Sequence, residues 1–466
     1  MPNPQMQVSK ASSPGLLRQL GFFSATALVI SNMVGTGIFA YTGFMAGQLG
    51  SAGVVLACWA VGALFALAGA LSYSELGINF PSSGGEYVYL TRAFGPEWGF
   101  MTGWVSFFAG FSAPIAAAAL AFSDYLGYFF PSLKQANASL VIGSGGFSLR
   151  LGRGQMVASL LILAFTILNC LGVGRTAKVQ NVLTSTKLIV IAGFVFLGFA
   201  AGSGSWTHFS EHAVRTSTLS LPTQFVVSLL WVMVAYSGWN AATYVAEEVR
   251  RPERTLPLAL ATGTAIVAAL YLALNLLLIY STRLEDMKGV IAIGSLAASN
   301  LFGPGVAGAF AALMAISIMS TVNAMVTIGP RVYYAMSKNR AFFRDAAMVH
   351  PRWHTPVVAI ASQGLCAMLM TVTPFPDLVI YIGMSLTLFT VLSVAALLVF
   401  RRRQPGWQRL RAVDFAYPLI PLLYILVGAC MMVYGVVSNP VASLTAFGTA
   451  GAGAVVYHFW IREPAV

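Results

Sequence analysis

The chain has 466 residues, of which 58% are hydrophobic and 9% are charged, and its mean hydropathy is +0.78. A chain of this composition cannot stay soluble with its apolar surface in water, so we predict an integral membrane protein. The net charge of +12 would suit a nucleic-acid partner, but the membrane topology described below explains it better.

Twelve apolar stretches follow one another along the chain, separated by polar or Gly/Pro-containing loops. Their length and their lack of strict alternation indicate helices rather than barrel strands. We therefore predict an all-α membrane protein with 12 transmembrane helices and no separate soluble domain. The predicted segments lie near residues 19–48, 53–80, 92–128, 156–173, 178–202, 222–249, 257–281, 304–337, 356–373, 377–400, 415–438 and 442–461.

The first segment is interrupted near its middle by Gly35, Thr36 and Gly37. A bilayer core needs only about 20 residues of helix, so part of this longer run can unwind where protein or a water-filled cavity surrounds it. In secondary transporters such breaks present amides to a carboxylate and carbonyls to a cation or an ammonium. The alternative is that these small residues only allow neighbouring helices to pack closely.

The fifth segment contains Lys187, two to three turns inside the predicted helix. An intramembrane lysine costs about 2.5–3.5 kcal/mol on insertion scales, so a functional role is the first hypothesis. The alternative is a side chain that extends to the cytoplasmic interface. About 13 Å of helix separates Lys187 from Lys178 in the preceding loop, which favours the functional role.

The sixth segment is interrupted as well, by small and polar residues around Ser237 and Gly238. Two interrupted helices in corresponding places of two five-helix units indicate a transporter site between inverted repeats. We predict a single transmembrane domain over residues 1–466. Its repeats are expected at about 19–202 and 222–400, with peripheral helices at 415–438 and 442–461.

The basic residues indicate how the chain crosses the membrane. With the N-terminus in the cytoplasm, 19 of the 26 lysines and arginines fall on the cytoplasmic side and 6 outside, and Lys187 lies within a helix. This bias is the positive-inside rule, so we predict cytoplasmic termini, contact with the lipid bilayer and no nucleic-acid partner. The charges of residues 247–254 are interpreted mostly as a solvated cytoplasmic face.

One motif favours an enzyme, since His208, Glu211 and His212 match the zinc-peptidase signature H-x-x-E-H. That signature needs a helix that presents both histidines to the metal. Here it occupies a loop of about 20 residues, so a zinc metallopeptidase is only a remote alternative. We predict no enzymatic activity, no metal and no cofactor. No nucleotide-binding loop occurs in the sequence, which counts against a primary pump.

Several groups of residues together resemble the amino acid/polyamine/organocation (APC) superfamily, over about residues 15–410. The lysine of the fifth segment and the Gly-Trp-Asn of the sixth are similar to the L-type amino-acid transporter branch and its bacterial relatives. The groups are Gly35-Thr36-Gly37-Ile38-Phe39, Gly84-Gly85-Glu86-Tyr87, Val179-Gln180 with Lys187, Gly238-Trp239-Asn240 with Glu247-Glu248, Arg331-Val332-Tyr333-Tyr334 and His354-Thr355-Pro356.

The resemblance implies the LeuT-type fold, with helices one to five and six to ten as inverted repeats, in a bacterial inner membrane. It also implies that the ammonium of Lys187 replaces sodium, with hydrogen bonds to carbonyls near Gly35 and to Ser320 or Thr321. The chain departs from the family at Val234, where some members carry a bulky aromatic gate. The outer loop lacks the cysteine that eukaryotic members use to bind a heavy chain, so no disulfide-linked heavy chain is expected.

From the paired breaks we predict a site for a free L-amino acid. Amides of Thr36 and Gly37 would face its carboxylate, and carbonyls near the breaks its ammonium. The predicted substrate-binding residues are Met33, Gly35, Thr36, Gly37, Val234, Ala235 and Ser237, and Lys187 is the predicted coupling residue.

Apart from Lys187, no charge is predicted beside the breaks, so neutral amino acids are favoured. We expect sodium-independent exchange or facilitated flux by alternating access. A proton-coupled symporter is the alternative. A channel or a sensing receptor on the same scaffold is not distinguished by the sequence.

Overall fold

The computed structural model describes residues 16–461 except 36, 40, 143–148, 291–292 and 439. In this part of the chain the structure is almost entirely helical, with one short hairpin in which β1 (Leu140–Ile142) pairs antiparallel with β2 (Leu149–Leu151). The helices are α1 (Phe22–Met33), α2 (Tyr41–Leu49), α3 (Ala52–Asn79), α4 (Glu86–Phe94), α5 (Pro96–Val105), α6 (Ala113–Leu126), α7 (Arg153–Cys170), α8 (Val173–Ala201), α9 (Leu221–Tyr236), α10 (Pro252–Ser281), α11 (Leu284–Met287), α12 (Ile293–Phe302), α13 (Ala307–Ile328), α14 (Pro330–Lys338), α15 (Val357–Met370), α16 (Phe375–Arg403), α17 (Arg411–Asp414), α18 (Leu419–Ser438) and α19 (Pro440–Val456).

Short 3₁₀ and π segments connect or extend several of these helices. A π segment joins α5 to α6, and another follows α19. The 3₁₀ segments are Gly37–Phe39, Pro131–Leu133, Gln135–Asn137, Trp206–Phe209, Ala241–Glu248, Pro304–Val306 and Arg344–Ala347, and the π segments are Ser106–Ser112 and Tyr457–Ile461.

Within the described residues, 9 helical stretches are long and apolar enough to cross a membrane. Twelve full-length spans were predicted, and three of the predicted segments account for the difference. The segment at 19–48 is divided between α1 and α2, the segment at 356–373 contains only the 14-residue α15, and the segment at 442–461 contains the 17-residue α19 followed by a π turn.

Both predicted helix interruptions are present. α1 ends at Met33, and a 3₁₀ turn separates it from α2. α9 ends at Tyr236, and the chain then passes through Gly238, whose φ of +100° is a conformation that glycine adopts without strain. The second half of the sixth segment is a 3₁₀ helix, so its backbone does not continue the α-helical ladder.

α1 lies at the centre of the bundle, where it packs against α8, α10 and α13. Small residues permit this close approach. A Cβ atom built on Gly263 of α10 would lie 2.7 Å from Cγ1 of Val29 in α1, so a larger side chain at residue 263 would separate the two helices. The interrupted part of α1 is therefore held by three neighbouring helices.

Two carboxylates, those of Glu248 and Glu75, are fully buried in ion pairs. Glu248 Oε1 lies 2.6 Å from Nε of Arg331, and Glu75 Oε2 lies 2.6 Å from Nη2 of Arg401. The interpretation of residues 247–254 as mostly a solvated face was therefore wrong for Glu248. A buried carboxylate needs a partner charge and hydrogen bonds to be tolerated, and α14 supplies both.

Candidate functional site

A cavity of about 150 Å³ lies between the two interrupted helices. Its remaining walls come from α3, from the π segment that precedes α6, and from α6, α13, α16 and α18. Thr36 lies outside the described residues. All the other predicted substrate-binding residues line this cavity, namely Met33, Gly35, Gly37, Val234, Ala235 and Ser237.

The cavity lining is apolar and aromatic, with a few hydroxyl and amide groups. Phe111, Trp239 and Tyr244 supply aromatic surface, while Asn32 and Thr321 supply polar atoms. None of the described residues that line the cavity carries a charged side chain. A pocket of this kind, mostly apolar with a few oriented polar groups, is typical of a small-molecule site.

Tyr271 of α10 connects the two breaks, a role that no pattern in the sequence indicates. Its hydroxyl oxygen lies 2.8 Å from the carbonyl oxygen of Met33 and 3.1 Å from that of Ala235. The hydroxyl has one proton, so it donates to one carbonyl at a time. Carbonyls predicted to face a substrate ammonium thus already have a protein donor nearby.

The carbonyl of Val234, another predicted ammonium ligand, is also engaged. It accepts hydrogen bonds from the backbone N–H of Ser237 at 3.1 Å and from its hydroxyl at 2.7 Å. These bonds close the turn that ends α9. Because a carbonyl oxygen has two lone pairs, Val234 has no remaining capacity for a strong third donor.

Asn32 was not predicted as a site residue, but the structure places it at the cavity. Its side-chain oxygen is buried and has no hydrogen-bond donor among the described residues. An unpaired buried oxygen costs about 1–3 kcal/mol. An N–H donor of a bound solute would remove that cost.

Lys187 is fully buried, with 0% of its surface exposed, so its side chain does not extend to the interface. Its Nζ atom donates to the carbonyl oxygen of Val34 at 2.7 Å and to Oγ1 of Thr321 at 2.8 Å. The carbonyl oxygen of Ser31 lies 3.5 Å away. The amine therefore joins the break after α1 to α13.

This geometry agrees with the predicted contact to Thr321, which itself lines the cavity. The prediction named carbonyls near Gly35, and the acceptor is the carbonyl of the adjacent Val34. Ser320, the other predicted partner, instead lies 2.6 Å from the hydroxyl oxygen of Ser31. Lys187 does not line the cavity, so it lies behind Thr321 and not against a solute in the cavity.

Glu86, the first residue of α4, forms a buried polar cluster beside the cavity. Its Oε1 accepts hydrogen bonds from the hydroxyl of Tyr73 at 2.7 Å and from Nδ2 of Asn240 at 3.0 Å. The Asn240 amide also donates to the hydroxyl of Tyr244, and both residues line the cavity. Glu86 is 3% exposed, and no ion pair with it is formed by the described residues. Burial without a counter-charge raises its pKa from the ordinary 4.5 to about 7.

The H-x-x-E-H motif does not form a metal site in the described part of the chain. Nδ1 of His208 lies 3.1 Å from the carbonyl oxygen of Tyr280, and Glu211 pairs with Arg283 at 2.8 Å. No group of three or more His, Cys, Asp and Glu residues among those described is arranged to hold a metal ion. The remote metallopeptidase alternative therefore has no assembled site here.

Comparison with known proteins agrees with the small-molecule site that this geometry indicates. The sequence model of the family described as amino acid permease matches residues 20–459. The serine/threonine exchanger SteT of Bacillus subtilis (strain 168) is 29% identical over 419 residues, which cover 88% of this chain and 89% of that protein. The large neutral amino acids transporter small subunit 2 of Mus musculus is 28% identical, with 98% of this chain and 85% of that protein covered. The cystine/glutamate transporter of Homo sapiens is 27% identical, with 96% and 87% covered.

Proposed function

The chain belongs to the amino acid permease family of the APC superfamily, and we propose that it exchanges neutral L-amino acids across a cell membrane. The members compared above are transporters and not enzymes. The mechanism is alternating access, and it is sodium-independent. The observation that carries the proposal is the uncharged cavity between two interrupted helices.

Neutral substrates are favoured by the cavity lining rather than by the names of the relatives, because one of those names includes glutamate. A free amino acid brings one carboxylate and one ammonium, which backbone amides and carbonyls at helix breaks can neutralise. A third charge on its side chain would find no charged partner among the described lining residues and would lose its hydration.

The cavity also favours small side chains. Its volume of about 150 Å³ is below the range of about 300–1,000 Å³ that is typical of small-molecule pockets. Alanine, serine and threonine suit this space better than leucine or phenylalanine. Val234 is smaller than an aromatic gate, but Trp239, Phe111 and Tyr244 fill much of the room that it leaves.

The position of Lys187 supports sodium independence. Its amine donates to the Val34 carbonyl and the Thr321 hydroxyl, two oxygens that could otherwise bind a cation between α1 and α13. A resident positive charge repels Na⁺ strongly at close range in a medium of low dielectric.

The architecture proposed for this mechanism is the LeuT-type fold with 12 helices and two inverted repeats. The interrupted segments at the start of each repeat support it. We place both termini in the cytoplasm and the protein in a bacterial inner membrane. The four cysteines are free in the structure, and we propose that no disulfide-linked heavy chain is needed.

Counterflow in proteoliposomes tests the proposed exchange. Internal unlabelled alanine, serine or threonine is expected to accelerate uptake of labelled serine, with equal rates in sodium and in choline buffers. A competition panel of the twenty amino acids should show inhibition by small neutral members. Uptake that does not respond to internal substrate would favour a channel or receptor. Competition by arginine and glutamate alone would contradict the neutral assignment.

The alternative of a proton-coupled symporter is favoured by one observation, the buried carboxyl of Glu86 next to cavity residues Asn240 and Tyr244. The titratable groups beside this carboxyl are the phenols of Tyr73, Tyr89, Tyr244 and Tyr424, and no cation is among them. A carboxyl that takes up a proton near pH 7 and contacts a residue of the cavity wall has the chemistry for coupling.

The pH dependence of this group has a definite sign. Because its pKa is raised from 4.5 to about 7 in the folded protein, its stabilising contribution is complete below about pH 4.5 and is lost as the pH rises through about 7. The full effect is about 3 kcal/mol. We expect the melting temperature of the wild type to fall between about pH 5 and pH 8. The Glu86→Gln variant should show a smaller fall.

The matched control is Glu97→Gln, since Glu97 is exposed one turn after α4. It should keep the pH profile of the wild type. In uptake assays, an inward proton gradient that drives serine accumulation in the wild type and not in Glu86→Gln would establish the symporter. A gradient without effect on either protein would leave exchange as the mechanism.

A further inference from the structure

A second cavity lies where α16 ends and α18 begins. It has a volume of about 300 Å³. Because α16 and α18 are successive stretches of spanning length, their adjoining ends meet at one surface of the membrane. The cavity is lined by Leu398, Arg401, Arg402, Arg409, Tyr417, Pro418 and Leu422.

One of the three arginines at this cavity is fully used by the fold. Nε and Nη2 of Arg401 bind the buried carboxylate of Glu75, and Nη1 lies 2.8 Å from Oδ1 of Asp414. Its guanidinium carbon lies 4.0 Å from the centre of the Tyr417 ring. Arg401 is therefore held in place at the cavity, and the carboxylates of Glu75 and Asp414 neutralise its charge.

The other two arginines keep donors available. Arg402 is exposed and has no hydrogen-bond or ion-pair partner in the described part of the chain. Arg409 reaches Asp414 only at 3.8 Å, and its side chain is 61% exposed. Asp414 already accepts from Arg401 at 2.8 Å, so Arg402 has no counter-charge among the described residues and Arg409 shares a single, more distant one. Guanidinium groups bind phosphate through two parallel hydrogen bonds.

The adjoining surface is apolar and exposed. Phe415 is 94% exposed and Leu419 is 62% exposed, and the exposed side chains of Leu422 and Leu426 continue the same surface along α18. Exposed apolar residues on a spanning helix contact lipid acyl chains. A ligand of this cavity thus meets cationic groups at the membrane surface and an apolar path that leads into the bilayer.

We propose that this cavity is a binding site for an anionic phospholipid of the adjacent leaflet. Its phosphate binds Arg402 and Arg409, and one acyl chain follows Leu422 and Leu426. A basic pocket between spanning helices at the cytoplasmic surface has the chemistry for such headgroups. An inorganic phosphate would satisfy the two arginines equally well, but it would make no use of the apolar surface.

The experiment measures lipid binding to the full chain by native mass spectrometry in detergent, where no membrane surface potential acts. Phosphatidylglycerol and phosphatidylcholine are titrated separately. We expect the wild type to bind phosphatidylglycerol more tightly. In Arg402→Ala/Arg409→Ala the affinity for phosphatidylglycerol should fall about 25-fold, since each exposed arginine contributes up to about a fivefold gain by pairing with the phosphate.

The matched control is Arg403→Ala/Arg411→Ala, which removes the same charge from two exposed arginines that do not line the cavity. It should bind phosphatidylglycerol like the wild type. An equal loss in both double variants would overturn the proposal, because general electrostatics would then explain the binding. So would equal affinity of the wild type for the two lipids. Displacement of bound phosphatidylglycerol by inorganic phosphate at comparable concentration would assign the cavity to a free anion instead. Elution of each variant as a single peak in size-exclusion chromatography confirms that it is folded.

Discussion

Replacement of Lys187 by alanine is expected to abolish amino-acid exchange while the protein still folds. The variant loses two hydrogen bonds from a charged donor, to the Val34 carbonyl and to the Thr321 hydroxyl. Such bonds contribute about 1.5–3 kcal/mol each. Loss of at least about 3 kcal/mol from the arrangement that joins α1 to α13 corresponds to about a 100-fold lower exchange rate.

The fold should survive because other contacts join the same helices. The hydroxyl oxygens of Ser31 and Ser320 lie 2.6 Å apart, and Gln180 donates to Ser320 at 3.0 Å. These bonds connect α1, α8 and α13 independently of the lysine. The effect of Lys187→Ala is therefore expected in transport more than in melting temperature.

The matched control for this prediction is Lys178→Ala, which removes an exposed lysine from the first turns of the same helix. Exchange of labelled serine is measured for the wild type and both variants, in sodium and in choline buffers. Lys178→Ala should exchange at the wild-type rate. If Lys187→Ala retains full activity with unchanged ion dependence, the lysine has no part in the mechanism. Sodium stimulation of the wild type would contradict the proposed replacement of the cation.

The helix breaks were predictable because they depend on local sequence. Glycine and small polar residues inside an apolar run of excess length reveal an interruption, and Gly35, Gly37 and Ser237 lie where the helices end. Lys187 was predictable for a similar reason, since a charge in an apolar segment is conspicuous by itself. Its acceptor was predicted only to within one residue, because the path of an unwound backbone is set by tertiary contacts.

Residues that act through distant partners were not predictable. Tyr271 lies in an ordinary apolar helix, and only the fold brings its hydroxyl to Met33 and Ala235. Glu86 appeared only as part of a family motif, and its burial depends on Tyr73 and on Asn240, which lies 154 residues away. A single sequence contains no record of such pairings.

The burial of charged residues was also not predictable from the sequence. Glu248 lies in a run of charges that is typical of a solvated surface, yet Arg331 of α14 pairs with it in the protein interior. Hydropathy reports how polar a stretch is, but it does not report whether a counter-charge arrives from elsewhere. The positive-inside pattern is similarly an average over many loops, and the proposed lipid site depends on which individual arginines keep donors available.

Gly238→Ala is the second substitution for which we expect a large effect, because the chain at this point is both strained for other residues and crowded. The φ of Gly238 is +100°, in the region that side chains rarely adopt. A Cβ atom there would also lie 2.8 Å from the carbonyl carbon and 2.8 Å from the carbonyl oxygen of Asn32. The backbone of the first break cannot move away easily, since Tyr271 holds it against the second.

Backbone strain of this kind costs about 1–3 kcal/mol, and overpacking against a fixed neighbour adds about 1–3 kcal/mol. We therefore expect Gly238→Ala to lower the melting temperature by several degrees and to abolish serine counterflow. The matched control is Gly35→Ala in the same cavity, where a Cβ atom would meet nothing within 4 Å and φ is not in the left-handed region. Its melting temperature should equal that of the wild type, although its methyl group takes space from the substrate. Equal destabilisation by both substitutions would contradict the strain and crowding inferred at residue 238. Wild-type counterflow in Gly238→Ala would show that the close approach of the two breaks is not required for transport.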